Sequence, residues 1–423
     1  MLKSVILIGG PLKGTRFRPL SLDIPKPLFP VAGLPVIQHH IEACSSIKEL
    51  KEILIIGSYP VSQLQQFVND MQLQYNVTIK YLQEFTALGT AGGLYHFRDQ
   101  IRSGSPKAFF VLNGDVCADF PLRELYDFFD ERSAECLVAV MSTEATRPQS
   151  LNFGCMVTDK NTNEITHYVE KPSSYVSTLI NCGIYVFSLK IFNIIGEAFN
   201  SKQEEYYKNG NGNPNKDTGY LQLEQDILTP LAGSGKMFAL QTSKWWSQLK
   251  TASSAIYANR HYLELYREKH PERLATGKMT ETCTIIPDVH IDPTAVIHPT
   301  AVIGPNVSIG AGAQIGAGVR IRESIILDTA VIEERSLIIH SIIGRNSRVG
   351  KWARVEGTPC DPDPNKPFAK MENPRLFNTD GRLNPSITIL GCSVSVPSET
   401  ILLNSIVLPN KELSRSIKNE IIL

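Results

Sequence analysis

The chain has 423 residues, far more than one hydrophobic core needs, so two or three domains are expected. It carries 42 Lys plus Arg and 42 Asp plus Glu, a balance that excludes a general electrostatic attraction to nucleic acid or to an anionic membrane. No apolar stretch is long enough to span a bilayer, and no secretory cleavage pattern follows the first residue. Eight cysteines without a C-x-x-C pair argue against a zinc site and a disulfide framework. We therefore expect a cytoplasmic protein that binds small ligands.

Residues 1–252 show short β-branched runs, such as "SVILIG", "EILIIGS" and "AFFVLNGD", that alternate with segments of helical period. This alternation predicts a Rossmann-like α/β domain with a mostly parallel sheet. Ligands of such sheets bind beyond the carboxyl ends of the strands, where Gly10 and Asp115 are expected to lie. Residues 253–282 follow as a predicted charged linker helix.

A six-residue apolar repeat is the strongest pattern in the chain. Isoleucine recurs at every sixth position from Ile285 to Ile321, and a second row of Val and Ala runs from Val289 to Val319. This period fits neither an amphipathic helix nor a single strand, but it fits a parallel β-helix whose coils stack. We predict a left-handed β-helix over residues 283–423. A segment rich in Pro, Asn and Asp interrupts the repeat at residues 359–386 and predicts a long inserted loop.

A glycine-rich turn follows the first predicted strand. Glycine has no Cβ, so the backbone N–H groups near Gly10 and Gly14 could face phosphate groups. Arg16 and Lys26 follow and could neutralise a phosphate charge. Taken alone, the same residues are also consistent with a tight turn flanked by solvated charges.

Five fragments occur in the order found in sugar-1-phosphate nucleotidyltransferases: "GTRFRPLSLDIPKPLFP", "LGTAGGL", "VLNGDV", "VEKP" and "NCGIYVF". With the hexapeptide repeat behind them, the whole chain resembles the mannose-1-phosphate guanylyltransferases, and within that family the animal regulatory alpha subunits. The resemblance implies that Gly10 and Gly14 form a phosphate loop with the cations Arg16 and Lys26, and that Glu84 and Gly89 line a base and ribose pocket. It also implies that Asp115 binds magnesium and that Glu170, Lys171 and Asn181 form a sugar-phosphate site.

The chain departs from the family pattern at two places. Pro11, Leu12 and Lys13 separate Gly10 from Gly14, where the family usually has one residue. Because a displacement of about 1 Å can cost about a hundredfold in rate, this longer loop is expected to misalign a triphosphate.

The second departure is Gln248 in "KWWSQLKTA", where the family uses an aspartate as a second magnesium ligand. Asp115 alone would then hold Mg²⁺, so metal binding is expected to be possible but weak, and regulation needs no cofactor. The amide of Gln248 can still hydrogen-bond a sugar or a phosphate, so the pocket is expected to bind GDP-mannose without turnover.

The resemblance thus implies a regulatory subunit that binds GDP-mannose and mediates feedback inhibition of a homologous catalytic beta subunit. The alternative is an active guanylyltransferase that makes GDP-mannose and pyrophosphate from GTP and mannose 1-phosphate. A subunit of the translation-initiation guanine-nucleotide exchange factor shares the architecture, but the sugar-site fragments argue against it. An acyltransferase that uses His290, His298 or His340 as a base is a further alternative.

Two surfaces are expected to contact partner chains. The regular faces of the β-helix and its exposed final coil, ending in "IKNEIIL", offer flat apolar strands and predict self-association or pairing with a homologous chain. The insert carries Phe368, Met371 and Phe377, which are expected to be exposed anchors of a regulatory loop. A disordered tether is the alternative for this insert.

Overall fold

The computed structural model describes residues 1–11, 15–208, 220–275, 283–372 and 375–423. The chain forms two compact units. The first unit contains Met1–Lys13, Ile37–Trp246 and Asp363–Lys370, and the second contains Gly14–Val36, Ser247–Pro362 and Met371–Leu423. The segment after the glycine-rich turn therefore belongs to the second unit, and part of the insert belongs to the first.

The elements before the repeat combine strands with helices, as the alternating sequence predicts. In chain order the strands are β1 (Leu2–Gly9), β2 (Pro30–Val31), β3 (Leu34–Pro35), β4 (Leu50–Gly57), β5 (Thr78–Gln83), β6 (Ala108–Asn113), β7 (Val116–Ala118), β8 (Val138–Glu144), β9 (Gly154–Thr158), β10 (Ile165–Glu170), β11 (Leu179–Ser188), β12 (Met237–Gln241) and β13 (Trp246–Gln248). The helices are α1 (Val36–Ser45), α2 (Val61–Tyr75), α3 (Gly89–His96), α4 (Arg98–Arg102), α5 (Leu122–Asp130), α6 (Arg147–Ser150), α7 (Ile191–Lys208), α8 (Thr229–Leu231) and α9 (Ala252–Lys269). None of the helices in the described residues combines the length and apolar character needed to cross a membrane.

The first unit is built on a mixed sheet in the order β10-β9-β11-β6-β1-β4-β5, with β8 between β11 and β12. Strands β6, β1, β4 and β5 pair in parallel, as predicted, whereas β11 pairs antiparallel with β6 and β8. The connection from β9 to β10 is too short for a crossover helix, and such a connection joins antiparallel strands. The Rossmann-like prediction is confirmed, with a mixed rather than mostly parallel sheet.

Burial explains why these segments form the core of the first unit. Strand β1 is buried from Leu2 to Ile6, and its apolar Val5 and Ile6 are fully buried, as expected for a parallel strand inside a sheet whose two faces are covered. Helix α5 buries Leu122, Leu125 and Phe129, which share one face at helical spacing.

The second unit begins with residues 14–36, which are tied to its helix α9 and to its repeats. Ala32 N donates to the buried Asn259 Oδ1 at 2.8 Å, and Arg345 Nε donates to Asp23 Oδ2 at 2.8 Å. Helix α9 starts with a capping box between Thr251 and Ser254, which satisfies backbone donors of its first turn.

The repeat forms a parallel β-helix with three faces, as predicted. Its strands are β14 (Thr284–Ile285), β15 (Val289–Ile291), β16 (Val296–Ile297), β17 (Val302–Ile303), β18 (Val307–Ile309), β19 (Gln314–Ile315), β20 (Arg320–Arg322), β21 (Ile325–Ile326), β22 (Val331–Ile332), β23 (Leu337–Ile339), β24 (Ser341–Ile343), β25 (Arg348–Val349), β26 (Arg354–Glu356), β27 (Thr388–Leu390), β28 (Ser395–Val396), β29 (Ile401–Leu403), β30 (Ile406–Val407), β31 (Ile417–Lys418) and β32 (Ile421–Ile422). The three faces begin with β14, β15 and β16, and each strand pairs in parallel with the strand of the same face in the next coil. The inward Ile and Val side chains therefore stack into one continuous core.

The insert leaves the β-helix between β26 and β27. Its two ends meet, because Thr358 N donates to Ser386 O at 3.0 Å. A Cβ at Gly357 would lie 2.4 Å from His340 O and 2.5 Å from Ile387 Cα, so only glycine fits where the chain leaves the stack.

Candidate functional site

A pocket of about 360 Å³ lies at the carboxyl edge of the parallel strands in the first unit. Gly9 at the end of β1 is in register with Gly57 of β4, and Gly57 is in register with Gln83 of β5. The residues that follow these three strands therefore meet at one edge, where ligands of α/β sheets bind. We call this pocket the nucleotide-side pocket; it is lined by residues that include Gly10, Ser58, Glu84, Gly89 and Thr90.

Gly10 lines this pocket directly beside the side chain of Ser58. A Cβ on Gly10 would lie 1.8 Å from Ser58 Oγ. Ser58 N donates to Gly9 O at 2.8 Å, which holds the two chain segments together. The backbone of the turn thus borders the pocket directly, as a phosphate-facing turn requires. Gly14, the other predicted glycine of this loop, lies outside the described residues.

Glu84 follows β5 and turns its carboxylate toward helix α3. Its backbone N–H donates to Gly57 O at 2.8 Å, which fixes the residue at the sheet edge. A Cβ on Gly93 would lie 2.2 Å from Glu84 Oε1, so the carboxylate packs directly against the helix backbone. A half-buried carboxylate in the pocket wall supplies a hydrogen-bond acceptor for a ligand with N–H or O–H groups.

Gly89 begins helix α3 with a φ of +76°, a conformation that favours glycine. A Cβ there would lie 2.2 Å from Leu221 O. That carbonyl accepts hydrogen bonds from Ala91 N at 3.1 Å and Gly92 N at 3.3 Å, while Leu221 N donates to Leu88 O at 2.9 Å. The turn "LGTAGGL" is therefore held by the chain around residue 221, and Gly89 permits the close approach.

A second group of polar side chains, which we call the sugar-side cluster, comprises Tyr168, Glu170, Lys171, Asn181 and Tyr185. Asn181 Nδ2 donates to Tyr168 OH at 3.0 Å and to Tyr185 OH at 2.8 Å. Tyr168 OH donates to Glu170 Oε2 at 3.1 Å, and Lys171 Nζ contacts Glu170 Oε1 at 2.7 Å. Burial raises the pKa of both tyrosines, so they stay protonated.

The structure thus brings Glu170, Lys171 and Asn181 together, as their predicted shared role requires. Gly183 N donates to Asn181 Oδ1 at 2.8 Å, so the amide is fixed in one orientation. Lys171 is exposed and Glu170 is half-buried, which leaves the ion pair open to a ligand at its outer side. An ammonium next to a carboxylate can bind both a phosphate oxygen and a sugar hydroxyl.

Asp115 is half-buried and follows β6, one residue after Gly114, whose N–H donates to Leu7 O at 2.8 Å. This places its carboxylate after a strand that neighbours β1 in the sheet. The described residues contain no group of three or more His, Cys, Asp or Glu that could hold a metal ion. Magnesium in nucleotide sites is usually bound by one or two carboxylates together with phosphate oxygens, so Asp115 would be one carboxylate ligand and the phosphates of a nucleotide would supply others.

Three of the predicted ligands belong to the second unit. Arg16 is exposed on the short 3₁₀ helix Thr15–Phe17, and Lys26 is half-buried at the start of another, Lys26–Leu28. Gln248 ends β13, and among the described residues no hydrogen-bond donor reaches its buried Oε1. A buried carbonyl oxygen without a partner is costly unless a ligand or water supplies a donor.

The insert differs from the sequence expectation at one residue. Phe368 and Phe377 are 58% and 46% exposed, but Met371 is only 8% exposed, so the prediction that it is an exposed anchor is wrong. An apolar thioether gains free energy when it leaves water, and an insert that packs on protein buries such a side chain.

Lys370 attaches the insert to the first unit, which the sequence did not indicate. Its Nζ donates to Thr143 Oγ1 at 3.3 Å and lies 5.9 Å from the centre of the Trp246 ring. Trp246 Nε1 in turn donates to Cys182 O at 2.9 Å, directly after Asn181. Burial lowers the pKa of the Lys370 ammonium, because a charge loses solvation at such a position.

Sequence reasoning also missed Tyr168 and Glu224. Tyr168 stands two residues before the quoted glutamate of "VEKP" and joins it to Asn181. Glu224 is the only carboxylate in "LQLEQ", between apolar residues that are buried at Leu221 and Leu223. An acidic residue within such a run is the signal that could have found it.

Two of the three histidines considered for acyl transfer, His290 and His298, have ordinary structural surroundings, whereas the buried Nδ1 of His340 has no hydrogen-bond partner among the described residues, and burial lowers the pKa of its ring. His290 Nδ1 lies 2.9 Å from Arg273 O, and burial lowers the pKa of its ring. His298 is exposed, with its Nδ1 3.1 Å from Thr300 Oγ1.

Two family models match the chain. The model described as Nucleotidyl transferase matches residues 3–262, and the model described as GMPPB C-terminal domain matches residues 285–423. A solved structure of a putative glucose-1-phosphate thymidylyltransferase from Bacillus anthracis covers 61% of this chain and 94% of its own, at 22% identity and a TM-score of 0.48.

Full-length relatives are more similar. The chain is 67% identical to "Mannose-1-phosphate guanylyltransferase regulatory subunit alpha" of Drosophila melanogaster and 57% identical to the regulatory subunit alpha-A of Danio rerio. It is 55% identical to the regulatory subunit alpha of Homo sapiens. Each comparison covers 100% of both chains.

Proposed function

The chain belongs to the nucleotidyl transferase family and, within it, to the mannose-1-phosphate guanylyltransferase regulatory subunits alpha, and from this membership we propose that it binds GDP-mannose and restrains a homologous catalytic beta subunit. One observation carries the proposal. The nucleotide-side pocket and the sugar-side cluster contain the polar groups that the family pattern places there. At the position of the family's second metal ligand, however, this chain has the neutral amide of Gln248. Such a site is suited to retaining a finished nucleotide sugar.

The polar groups of the first unit match the parts of GDP-mannose. The glycine backbone at Gly10 suits the diphosphate, since N–H groups without a neighbouring Cβ can approach its oxygens. Glu84 offers a carboxylate acceptor for the N–H donors of guanine. Glu170, Lys171 and Asn181 offer partners for the hexose and its phosphate.

The same groups support weak or absent turnover. In-line transfer from a triphosphate needs charge neutralisation at both the attacked and the leaving phosphate. Asp115 is one carboxylate, and Gln248 contributes no charge, so the protein offers magnesium little beyond the ligand's own oxygens. The alternative function, an active guanylyltransferase, is favoured by the retention of Asp115 after β6.

The insert is the proposed route from this site to the catalytic subunit. Its segment Asp363–Lys370 forms part of the first unit, where Lys370 contacts Thr143 and lies near Trp246. Exposed Phe368 gives this docked segment an apolar side chain that a partner can bury. GDP-mannose regulates the partner only if it favours one arrangement of the insert, typically by about 1–3 kcal/mol.

The proposal has a direct test with the purified full-length chain. We expect calorimetric binding of GDP-mannose, together with little or no pyrophosphate release from GTP and mannose 1-phosphate with magnesium. GDP-mannose binding that survives removal of magnesium supports a regulatory site. Robust magnesium-dependent pyrophosphate release by this chain alone would establish the active enzyme instead.

A second test asks whether the insert transmits inhibition. Residues 362–383 are replaced by a short Gly/Ser link, and the variant is compared with the intact chain for inhibition of the catalytic homologue. We expect GDP-mannose binding to be kept and ligand-dependent inhibition to be lost. Full inhibition by the shortened chain would show that the signal passes through the folded units.

Assembly and location complete the proposal. The last coil ends in β31 and β32, which present an open strand edge suited to self-association or to a homologous beta subunit. All eight cysteines are free thiols, which supports a reducing cytoplasm as the site of action. Size measurement of the chain alone and with the catalytic homologue tests the assembly, and a monodisperse monomer that ignores the homologue would contradict it.

A further inference from the structure

An ion pair between Lys202 on helix α7 and Asp226 clamps residues 220–222 from both sides. Lys202 Nζ donates to Asp226 Oδ2 at 2.6 Å and to Tyr220 O at 3.2 Å. Asp226 Oδ2 also accepts from Gln222 N at 2.7 Å. One ammonium and one carboxylate therefore hold the backbone at the start and at the end of this segment.

The clamped segment supports the wall of the nucleotide-side pocket. Leu221, its middle residue, donates through its N–H to Leu88 O at 2.9 Å. Directly after the segment, Leu223 N donates to Thr90 Oγ1 at 2.8 Å. Leu88 and Thr90 both line the pocket, and Gly89 between them packs against Leu221 O. A shift of the segment therefore moves the pocket wall with it.

The segment depends on the ion pair for its position. Residues 220–222 lie outside the helices and strands of the described chain, so no ladder of backbone hydrogen bonds fixes them. Hydrogen bonds between charged groups are about twice as strong as neutral ones. The side chains of Lys202 and Asp226 are 40% and 21% exposed, so water screens their attraction only in part.

We infer that Lys202 and Asp226 are positioning residues for the nucleotide-side pocket, which set its affinity for the nucleoside diphosphate part of a ligand. This inference rests on the proposed function, which assigns the pocket to that part. Neither side chain is among the described residues that line the pocket, so both act through the backbone of residues 220–222. The sugar-side cluster has its own hydrogen bonds, such as that from Asn181 to Tyr168, and does not depend on the pair.

The first measurement is calorimetry of the full-length chain and its variants with GDP-mannose and with GDP. In Lys202→Met we expect both ligands to bind about tenfold or more weakly, because both contain the nucleoside diphosphate. Lys202→Arg keeps a cation and should recover most of the affinity. Lys190→Met, the same change at an exposed position before α7, is the matched control and should alter neither dissociation constant.

The second measurement, hydrogen exchange, separates positioning from a general loss of stability. In Lys202→Met the amides of Ala91 and Gly92, which donate to Leu221 O, should exchange faster, whereas strand β11 keeps its rates. Asp226→Asn should also weaken both ligands. Because the two substitutions remove the same ion pair, the double variant should lose little more affinity than Lys202→Met alone.

The outcomes separate this inference from the proposed function. Unchanged affinities in Lys202→Met, or weaker binding with faster exchange throughout the sheet of the first unit, would overturn the positioning role while GDP-mannose binding by the intact chain stands. An intact chain that binds neither ligand overturns the proposed function and this inference with it. If Lys202→Met does not fold, Asp226→Asn decides by the same two measurements.

Discussion

The side-chain amide of Gln149 pairs in both directions with the backbone of Lys370. Gln149 Nε2 donates to Lys370 O, and Lys370 N donates to Gln149 Oε1, each at 2.8 Å. A glutamine side chain has a C=O acceptor and an NH2 donor, so it can form with one residue the two hydrogen bonds that the backbone of a neighbouring strand would form. The backbone of the insert is therefore held at Lys370 by the side chain of Gln149.

Gln149→Ala should release this segment. Two hydrogen bonds to the backbone of Lys370 are lost, and we expect the free energy of local opening around Lys370 to fall by about 1–3 kcal/mol. Hydrogen exchange of residues 363–372 should accelerate while exchange of the sheet strands is unchanged. Gln314→Ala, at an exposed position of β19, is the control and should leave this segment unaffected. Unchanged exchange in Gln149→Ala would mean that the other contacts of the segment suffice.

A comparison of alanine substitutions at Gly89 and Gly235 separates two causes of destabilisation: backbone strain, which both share, and a steric clash with Leu221 O, which arises only at Gly89. Both have positive φ, +76° and +72°, but a Cβ at Gly235 meets nothing within 4 Å, whereas at Gly89 it meets Leu221 O. Gly235→Ala should cost about 1 kcal/mol of unfolding free energy, since alanine is strained at such φ. Gly89→Ala should cost clearly more and weaken GDP-mannose binding. Denaturant unfolding checks both values, and equal losses would refute the steric argument.

Glu224 should give stability a specific pH dependence. Burial raises its pKa in the folded state, so the folded protein binds this proton more tightly than the unfolded chain does. Its destabilising effect is therefore absent below the unfolded pKa of about 4.3 and grows as the pH rises through the raised folded value. Glu224→Gln should be more stable than the original chain at neutral pH, and this difference should vanish at low pH.

Melting temperatures between pH 4 and 7 test this expectation. Thr90 Oγ1, which donates to the Glu224 carboxylate, does not titrate in this range. Glu197→Gln, the same change at an exposed position of α7, should follow the original chain at every pH. A constant difference between Glu224→Gln and the original chain would contradict a raised pKa.

Gln248→Asp should restore a carboxylate without restoring the enzyme. We expect stronger magnesium-dependent binding of GTP, because the metal gains a charged ligand, but no substantial turnover while three residues separate Gly10 from Gly14. Binding of GTP with and without magnesium checks the first part, and pyrophosphate release checks the second. Gln248→Asn, which keeps the side chain neutral, is the control. Family-like rates in the single variant would disprove the role of the loop.

Periodic features of the sequence predicted the fold well. Ile285, Ile303 and Ile321 pair with one another across the coils because a hexapeptide repeat returns to the same face after three steps. The antiparallel strand β11 was not predicted, since a buried central strand is apolar in both orientations and only its connections decide the direction.

The candidate site was predictable where short motifs coincide with strand ends. Gly10, Glu84 and Gly89 line one pocket, and Asn181 joins Glu170 through Tyr168, whose hydroxyl no motif indicated. Lys370 was not predictable, because its partners Gln149 and Thr143 are more than two hundred residues away and surround a segment of low apolar content. Long-range polar contacts of this kind leave no periodic trace in a sequence.

The hydrogen bond between Thr358 and Ser386 has a consequence for how the chain can vary. A deletion of six residues inside the β-helix would move every following side chain to the next face. An insertion or deletion between Thr358 and Ser386 instead leaves every later strand on its present face. The insert can therefore lengthen, shorten or change composition while Val355 and Leu402 remain paired. The stack acts as an invariant frame, and the insert is the part of the second half of the chain in which new specificity can arise without refolding the rest.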